Sequence, residues 1–245
     1  MKNYTIGILG VASYATADLF KRVVDAFPAE KEWDRPRIII DNYCTMPSRV
    51  RAILYHENEE IVINKITKGI ENLIAYGADR VIVDCNTAHY YVRYAIENIP
   101  GSAEVVIDII DNLGKVISRK YPGKISASLI ASEGVIDTGI YKNSFEKYKI
   151  NVNNPNRNDL KLIREMIEAV KQNKINEYYL ESFCDYVNNI KDEYVIIGCT
   201  EIPVLYENAK KNGYTISRKL FDPLQCAINV LVDEYYKLPN VNGWN

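Results

Sequence analysis

Two cysteine motifs in this chain of 245 residues follow apolar segments of similar sequence. Residues 79–87 read Asp-Arg-Val-Ile-Val-Asp-Cys-Asn-Thr and residues 193–200 read Glu-Tyr-Val-Ile-Ile-Gly-Cys-Thr, so Cys85 and Cys199 occupy equivalent places. A thiol at the start of a helix is expected to have a pKa below its ordinary ~8.5, because backbone amides and the helix dipole stabilise the thiolate. Two such thiols facing one carbon atom act as base and acid on its opposite faces, which inverts its configuration. The alternative is that both are small buried apolar side chains.

The other potential ligands form neither a metal site nor a disulfide framework. The chain has five cysteines and two histidines, and it contains no Cys-x-x-Cys pair. Cys85 and His89 are four residues apart and can share a helix face, but a structural zinc site needs four ligands. We therefore expect no metal, and we interpret the remaining cysteines as structural: Cys44, Cys184 and Cys226.

Composition and charge exclude several classes of protein. Thirty Lys and Arg residues against 32 Asp and Glu residues leave a formal charge of −2, which argues against a nucleic-acid partner or an anionic membrane surface. No stretch approaches the ~20 apolar residues of a membrane span. The first apolar segment is too short for a secretory signal, so we expect a cytoplasmic protein. The glycines at positions 7 and 10 do not complete the G-x-G-x-x-G fingerprint of dinucleotide binding.

Apolar segments rich in Ile and Val alternate along the chain with stretches of helical periodicity. The continuously apolar segments predict buried strands at 4–9, 37–40, 80–83, 104–107, 125–130 and 194–197. Apolar residues that recur three and four positions apart predict helices at 16–27, 59–76, 111–120, 160–170 and 203–212. This alternation is typical of an α/β fold with parallel sheets.

The sequence also repeats itself. Residues 6–13 (Ile-Gly-Ile-Leu-Gly-Val-Ala-Ser) are similar to residues 125–132 (Ile-Ser-Ala-Ser-Leu-Ile-Ala-Ser), in the same order and at nearly the same spacing as the two cysteine segments. This predicts two similar lobes related by pseudo-two-fold symmetry, each a parallel sheet flanked by helices, with the active site in the cleft between them. We assign residues 1–111 and 214–245 to the first lobe and residues 112–213 to the second.

The connections between these segments predict close packing of the lobes. No Pro- or Ser-rich linker separates them. Residues 221–238 are predicted to form a strand end and a helix that packs onto the first lobe. Residues 151–158 are predicted to be a polar turn, and residues 239–245 a frayed end.

Four small, polar loops follow predicted strands, at 10–16, 85–89, 132–138 and 199–201. Ligands of open α/β sheets bind beyond the carboxyl ends of the strands. Each loop leads toward a helix start, where free N–H groups and the dipole favour an anion. These loops therefore suit a substrate carboxylate, and Ser13 and Ser132 are candidate ligands in two of them.

The two cysteine motifs resemble those of a known family. Cys-Asn-Thr-Ala-His at 85–89 and Gly-Cys-Thr-Glu-Ile-Pro at 198–203 are similar to the signature motifs of the aspartate/glutamate racemase superfamily, in its cofactor-independent, two-cysteine branch. Glu201 resembles the aspartate racemase group, since glutamate racemases usually carry His-Tyr after the equivalent Cys-Thr. The resemblance runs from Ile6 to about Leu231, and it implies a homodimer that needs no cofactor.

The resemblance also implies roles for individual residues. Cys85 and Cys199 become the two acid/base residues. Side chains implied to hold the substrate α-carboxylate are Asn86, Thr87 and Thr200. Arg49 resembles the arginine that binds a substrate carboxylate, and Lys171 stands where the family has a second cation. Without the resemblance, both cations would be interpreted as solvated surface charges.

Several positions depart from the family pattern. Residues 10–14 read Gly-Val-Ala-Ser-Tyr where the family is rich in glycine, so the pocket is expected to be reshaped. Asp84 replaces a small residue or proline, and strand alternation should turn it away from the side that Cys85 faces. Glu133 either repels a substrate carboxylate or bonds another group. His89 is interpreted as a helix-face residue and Glu201 as a first-turn helix acid; the alternative for each is that it assists a thiol.

The predicted function is a cofactor-independent amino-acid racemase whose small-molecule partner is an amino acid with one or two carboxylates. Aspartate is the favoured substrate and glutamate the second. One alternative is another reaction of the superfamily, of the hydantoin racemase, maleate isomerase or decarboxylase type. The other is a two-lobed protein that binds an amino acid or carboxylate without turnover.

Overall fold

The strands of the protein form two parallel sheets. The structure, a computed structural model, describes residues 3–239, so residues 240–245 of the predicted frayed end lie outside the described part. The strands are β1 (Thr5–Gly10), β2 (Arg37–Asn42), β3 (Arg80–Val83), β4 (Ile125–Ala131), β5 (Ile150–Asn153), β6 (Tyr194–Gly198) and β7 (Lys219–Phe221). One sheet has the order β2-β1-β3 and the other the order β5-β4-β6-β7. The predicted α/β class is therefore confirmed.

Helices connect and flank the strands. They are α1 (Ser13–Ala26), α2 (Arg49–Tyr55), α3 (Glu59–Ala75), α4 (His89–Asn98), α5 (Ser102–Val105), α6 (Ile109–Lys120), α7 (Glu133–Thr138), α8 (Ile140–Glu146), α9 (Arg157–Lys171), α10 (Glu177–Asn189), α11 (Ile202–Lys211) and α12 (Pro223–Lys237). Several begin with a side chain that accepts a backbone N–H, such as Asp108 before α6 and Asn156 before α9.

The repeat in the sequence corresponds to a repeat in topology. β1 and β4, which carry the first pair of similar segments, each lie at the centre of their lobe's three equivalent strands. β3 and β6, which precede the two cysteines, each pair with that central strand in parallel. Cys85 and Cys199 therefore follow the carboxyl ends of equivalent strands in the two sheets.

The predicted strand at 104–107 is wrong. Residues Ser102–Val105 form the short helix α5, and only Val106 bridges to Val81 of β3. The buried hydroxyl of Ser102 donates to the carbonyl oxygens of Ile96 and Ile99 at the end of α4, and the single turn of α5 follows directly where the apolar pattern indicates a strand.

The predicted polar turn at 151–158 begins too early, because its first residues belong to β5. This is an edge strand in which buried and exposed residues alternate. Its outward-facing residues are Asn151 and Asn153, whose side-chain amides both donate to the hydroxyl of Ser126 on β4. Polar residues are common on exposed edge strands, so the composition of this segment indicates a turn although it forms a strand.

The two sheets share a hydrophobic core. Ile6 and Ile8 of β1 belong to the same buried cluster as Leu129 of β4 and Ile196 of β6. Helix α12 contributes Leu224, Ala227, Ile228, Leu231 and Tyr235 to this cluster. It packs against α1 and α6, whereas β7 pairs with β6 in the second sheet although the sequence grouped it with the first lobe. The chain division between the lobes stays a prediction.

Candidate active site

A cavity of about 580 Å³ contains both cysteines of the repeated motifs. Cys85 and Cys199 line it, and each is 8% exposed. The same cavity is lined by the other seven residues that the sequence selected: Ser13, Arg49, Asn86, Thr87, Ser132, Lys171 and Thr200. Strands and helices of both halves of the chain therefore bring all nine candidates together.

Cys85 lies in the turn between β3 and α4. Its sulfur accepts a hydrogen bond from the backbone N–H of Ala88 over 3.4 Å. A backbone donor at a helix start stabilises a negative sulfur. The Cys85 thiol is therefore in a position to act as a base.

His89, one turn beyond Cys85, bonds to the backbone rather than to the thiol. It is fully buried, and its Nδ1 donates to the carbonyl oxygen of Cys85 over 2.8 Å. Burial lowers the pKa of this histidine, so the imidazole is neutral at pH 7. The geometry agrees with its interpretation as a helix residue, and what it contributes is the shape of the turn.

Cys199 has a different environment, because its S–H donates a hydrogen bond to Glu201. The Cys199 sulfur donates to Oε2 of Glu201 over 2.9 Å, and the Thr200 hydroxyl lies 3.4 Å from the same oxygen. Burial raises the pKa of the Cys199 thiol, and the Glu201 carboxylate raises it further. The expectation of a lowered pKa is wrong for this thiol, since desolvation and a neighbouring anion outweigh the helix start.

The interpretation of Glu201 as a first-turn helix acid is also wrong. It is the residue before α11, only 4% exposed, and it lines the cavity. Its side chain turns to the thiol two residues earlier instead of to solvent. Local sequence places an acid near the helix start, but only the folded loop decides which neighbour the carboxylate meets.

Arg49 is the first residue of α2 and lines the cavity rather than the outer surface. One guanidinium nitrogen, Nη1, donates to the carbonyl oxygen of Pro47 over 3.3 Å. Its Nε is buried and has no hydrogen-bond partner within the described residues. A cation with unused donors in a cavity is suited to a carboxylate ligand.

Lys171, the last residue of α9, is the second cation of the cavity. Its Nζ lies 2.9 Å from Oε1 of Glu168, and its side chain is 37% exposed. Burial by itself would lower the pKa of Lys171, but the carboxylates of Glu201 and Glu168 raise it above its ordinary value. Lys171 therefore stays charged, with part of that charge already offset by acids.

Polar side chains join the two halves of the cavity. The hydroxyl oxygens of Thr87 and Ser132 lie 2.9 Å apart, which links the loop after β3 to the loop after β4. Tyr141 donates to Oδ1 of Asn86 over 2.5 Å, and burial raises the pKa of this phenol, so it keeps its proton. The amide nitrogen of Asn86 therefore remains as the donor for a ligand. Tyr141 lies on α8, far from any motif, and no sequence signal indicated it.

The structure adds residues that the sequence did not select. Cys44, interpreted as structural, is exposed and lines the cavity. It follows β2, so the rule that sites lie beyond strand ends would have found it.

Glu133 lies outside the cavity lining and pairs with Arg164. Asp84 is fully buried and turned away from the cavity, as strand alternation predicts.

Within residues 3–239, no group of three or more His, Cys, Asp or Glu side chains is arranged to hold a metal ion. None of the described helices is long and apolar enough to cross a membrane.

Comparison with known proteins identifies the family. A sequence model of the Asp/Glu/Hydantoin racemase family matches residues 6–231. The chain belongs to the Asp/Glu/Hydantoin racemase family. Among curated relatives, a glutamate racemase from Persephonella marina is 24% identical over 201 residues, which cover 79% of this chain and 73% of the relative.

Solved structures of racemases share the fold of this family member. Aspartate racemase from Picrophilus torridus is 22% identical, with a TM-score of 0.79 over 97% of this chain and 96% of the other. Glutamate racemase from Francisella tularensis, solved with D-glutamate, is 17% identical, with a TM-score of 0.67 over 99% of this chain and 86% of the other. At these identities the likeness shows the two-lobed racemase fold.

Proposed function

We propose that this chain is a cofactor-independent amino-acid racemase that uses Cys85 and Cys199 as base and acid on opposite faces of the substrate Cα. The observation that carries the proposal is the presence of both thiols in one cavity. Family membership supports the reaction class, because the chain and its relatives are grouped as racemases.

The surroundings of the thiols support different resting roles. Cys199 is the acid, because its S–H donates a hydrogen bond to Glu201 and because burial, with the neighbouring carboxylate, keeps the thiol protonated. Cys85, whose sulfur accepts the Ala88 N–H, is the base. For one enantiomer the Cα–H bond breaks as an S–H bond forms at Cys85. The S–H bond of Cys199 breaks as a new Cα–H bond forms on the far face. For the other enantiomer the roles are exchanged, so Cys85 must carry the proton and Cys199 must be the thiolate.

This proton transfer needs hydrogen-bond donors that stabilise the deprotonated substrate. The Cα–H of a free amino acid is far less acidic than a thiol, and every ~1.36 kcal/mol that this difference adds to the activation free energy lowers the rate tenfold. Asn86, Thr87 and Thr200 surround the position proposed for the α-carboxylate. Donors aimed at this group stabilise the charge that grows on it as Cα loses its proton.

Arg49 in the cavity supports a dicarboxylic substrate, and the resemblance of Glu201 to the aspartate racemase group favours aspartate over glutamate. Arg49 has unused donors for a second carboxylate, whereas Lys171 already pairs with Glu168. Burial of either substrate carboxylate without a partner would be prohibitive. Structural relatives of this chain include an aspartate racemase and a glutamate racemase solved with D-glutamate, which agrees with a dicarboxylic substrate. Ser13 and Ser132 complete the proposed binding set, and a cytoplasmic homodimer is proposed for the working enzyme.

A second candidate function is hydantoin racemisation. The family description names hydantoin racemases, and the same pair of thiols would serve that reaction. A hydantoin has no free α-carboxylate, so it leaves the donors of Asn86, Thr87 and Thr200 without their anion. The amino-acid reaction therefore fits the cavity better.

Solvent isotope exchange tests the proposal. The purified protein, with no added cofactor, is incubated in heavy water with single L-amino acids and with an L-substituted hydantoin, while chirality and Cα deuterium are followed. We expect L-aspartate to racemise with one deuterium incorporated at Cα. A double variant, Cys85→Ala with Cys199→Ala, is the inactive control. Carbon dioxide release, or protection from thermal unfolding by aspartate without exchange, would contradict the racemase proposal and favour a decarboxylase or a binding protein.

A further inference from the structure

Gly134 lies against two parts of the chain that carry proposed substrate ligands. It is the second residue of α7 and is buried. A Cβ atom placed on it would lie 3.0 Å from Cγ2 of Thr87 and 3.3 Å from the Cα atom of Val50, the residue after Arg49 in α2. Thr87 is proposed to bind the α-carboxylate and Arg49 the second carboxylate. The junction at Gly134 therefore lies between the elements that hold the two ends of the substrate.

This close approach, and not the backbone conformation, accounts for a glycine at the junction. The φ angle of Gly134 is not positive, so other residues can adopt its backbone conformation. The neighbour at 3.3 Å is a backbone atom, which cannot rotate away as a side chain does. A methyl group added to Gly134 therefore requires α2 and α7 to move apart by a few tenths of an ångström.

Of these two helices, α7 is held more firmly. Val135 of α7 is 1% exposed and belongs to the hydrophobic core that the two sheets share. The hydroxyl of Ser132, which precedes α7, lies 2.9 Å from the Thr87 hydroxyl. In α2, which lies wholly within the described residues, Ala52 is the only buried residue. A methyl group at the junction should therefore displace α2, while α7 and Thr87 stay together.

The Arg49 guanidinium is expected to move with α2. Its Nη1 donates to the carbonyl oxygen of Pro47, two residues earlier, over 3.3 Å. This hydrogen bond ties the guanidinium to its own segment of the chain. Displacement of α2 away from α7 therefore lengthens the distance between Arg49 and Thr87.

We propose that Gly134 sets the spacing between the two carboxylate sites and thereby selects aspartate over glutamate. This inference rests on the proposed function, which supplies the sites at Thr87 and Arg49. The two amino acids carry the same charged groups and differ by one methylene between their carboxylates. Glycine permits the closest approach at the junction, so the spacing is at its short limit and suits the shorter substrate. Gly134 does not line the cavity, so it is a positioning residue.

Equilibrium binding of the two amino acids tests the proposal without relying on turnover. Calorimetry with DL-aspartate and DL-glutamate gives the dissociation constants, because racemisation does not change the composition of a racemic ligand. One methylene changes discrimination by about 10- to 200-fold, and the expected displacement is a fraction of a methylene length. In Gly134→Ala we therefore expect the affinity for aspartate relative to glutamate to fall by about 3- to 10-fold. An equal change for both amino acids, or a stronger preference for aspartate, would overturn the proposal.

Gly114→Ala is the matched control. It adds the same methyl group to another buried helical glycine, where the new atom meets the ring of Tyr148 outside the cavity lining. Its ratio of affinities should equal that of the parent, even if the fold loses stability. A similar loss of aspartate preference in Gly114→Ala would show that the effect does not come from the junction at Gly134.

A second variant covers the case in which Gly134→Ala does not fold. Adding Thr87→Ser removes Cγ2, the atom nearest to the new methyl group, and keeps the hydroxyl. The Val50 contact remains, so the same loss of aspartate preference is expected relative to Thr87→Ser alone, and an unchanged preference would overturn the proposal.

The two proposals fail separately. A parent chain that binds both amino acids without isotope exchange would overturn only the proposed racemase activity. A parent that racemises aspartate, with no change of preference in Gly134→Ala, would overturn only the role of Gly134. Absence of binding of both amino acids to the parent would overturn the role of Gly134 as well.

Discussion

The sulfur of Cys199 donates a hydrogen bond to Oε2 of Glu201 over 2.9 Å. Among residues 3–239, Cys85 has no such carboxylate partner, and its sulfur accepts a backbone N–H instead. Two motifs that are similar in sequence therefore give two thiols with different hydrogen bonds. The proposed acid and base are distinguished by these partners rather than by the cysteines themselves.

Loss of either thiol should stop racemisation. Cys85→Ala and Cys199→Ala should each lower kcat by about 10²- to 10⁴-fold, because this is the contribution of a positioned acid or base and each variant lacks one. Polarimetry with L-aspartate and with D-aspartate measures the loss. Cys226→Ala, on α12 and outside the cavity lining, serves as the control. Full activity in either thiol variant would rule out a two-base mechanism.

Removal of the Glu201 carboxylate should make Cys199 more acidic. Glu201 raises the pKa of this thiol, so Glu201→Gln lowers it, and alkylation of Cys199 should begin at lower pH. The S–H of Cys199 also loses the carboxylate that orients it, and kcat should fall by about 10- to 100-fold. Alkylation against pH and steady-state kinetics check both parts. A Cys199 curve at higher pH than in the parent would contradict this account.

Arg49 should contribute to affinity for the second carboxylate. Arg49→Ala should raise KM for aspartate by about 10- to 100-fold, since a hydrogen bond to a charged group is worth roughly 1.5–3 kcal/mol. The KM of Arg49→Lys should lie between those of the parent and Arg49→Ala, because an ammonium keeps the charge but cannot form the bidentate contact. The KM for alanine, measured in parallel, should change little. An equal rise in KM for aspartate and alanine would show that Arg49 does not bind the side-chain carboxylate of the substrate.

An ion pair on α12 should make the fold sensitive to acid. Glu234 lies 2.8 Å from the Tyr4 hydroxyl and 2.8 Å from Nε of Arg80, so it ties α12 to the first sheet. Burial alone would raise the pKa of Glu234, but these hydrogen bonds hold it below its ordinary 4.5. The contribution is complete above pH 4.5 and is lost as pH falls through the lowered folded value.

Glu234→Gln should therefore reduce the free energy of unfolding by about 1–2 kcal/mol at pH 7 and by less in acid. Urea unfolding at pH 7 and near pH 3.5 measures the difference. Glu60→Gln, at the start of α3, is a surface control in which the loss should be small at both pH values. A loss that grows as pH falls would have the wrong sign for this ion pair.

The sequence by itself determined the architecture and the two central residues of the site. Alternating apolar strands and helices predict parallel sheets, and the similar segments before Cys85 and Cys199 predict equivalent strand ends. These inferences succeed because burial on both faces of a strand, and one face of a helix, leave a local periodic pattern. An edge strand is buried on one face only and does not show a continuous apolar run. The polar residues Asn151 and Asn153 of β5 therefore led to the prediction of a turn.

Only the tertiary structure decided how the thiols are controlled. Glu201 turns inward to Cys199, Asp84 is fully buried, and Arg49 lines the cavity instead of the surface. These relationships depend on how loops and helices from both halves of the chain fold around the cavity. The energy of a charge depends on its desolvation and its partners, and neither quantity is written in the local pattern of the chain.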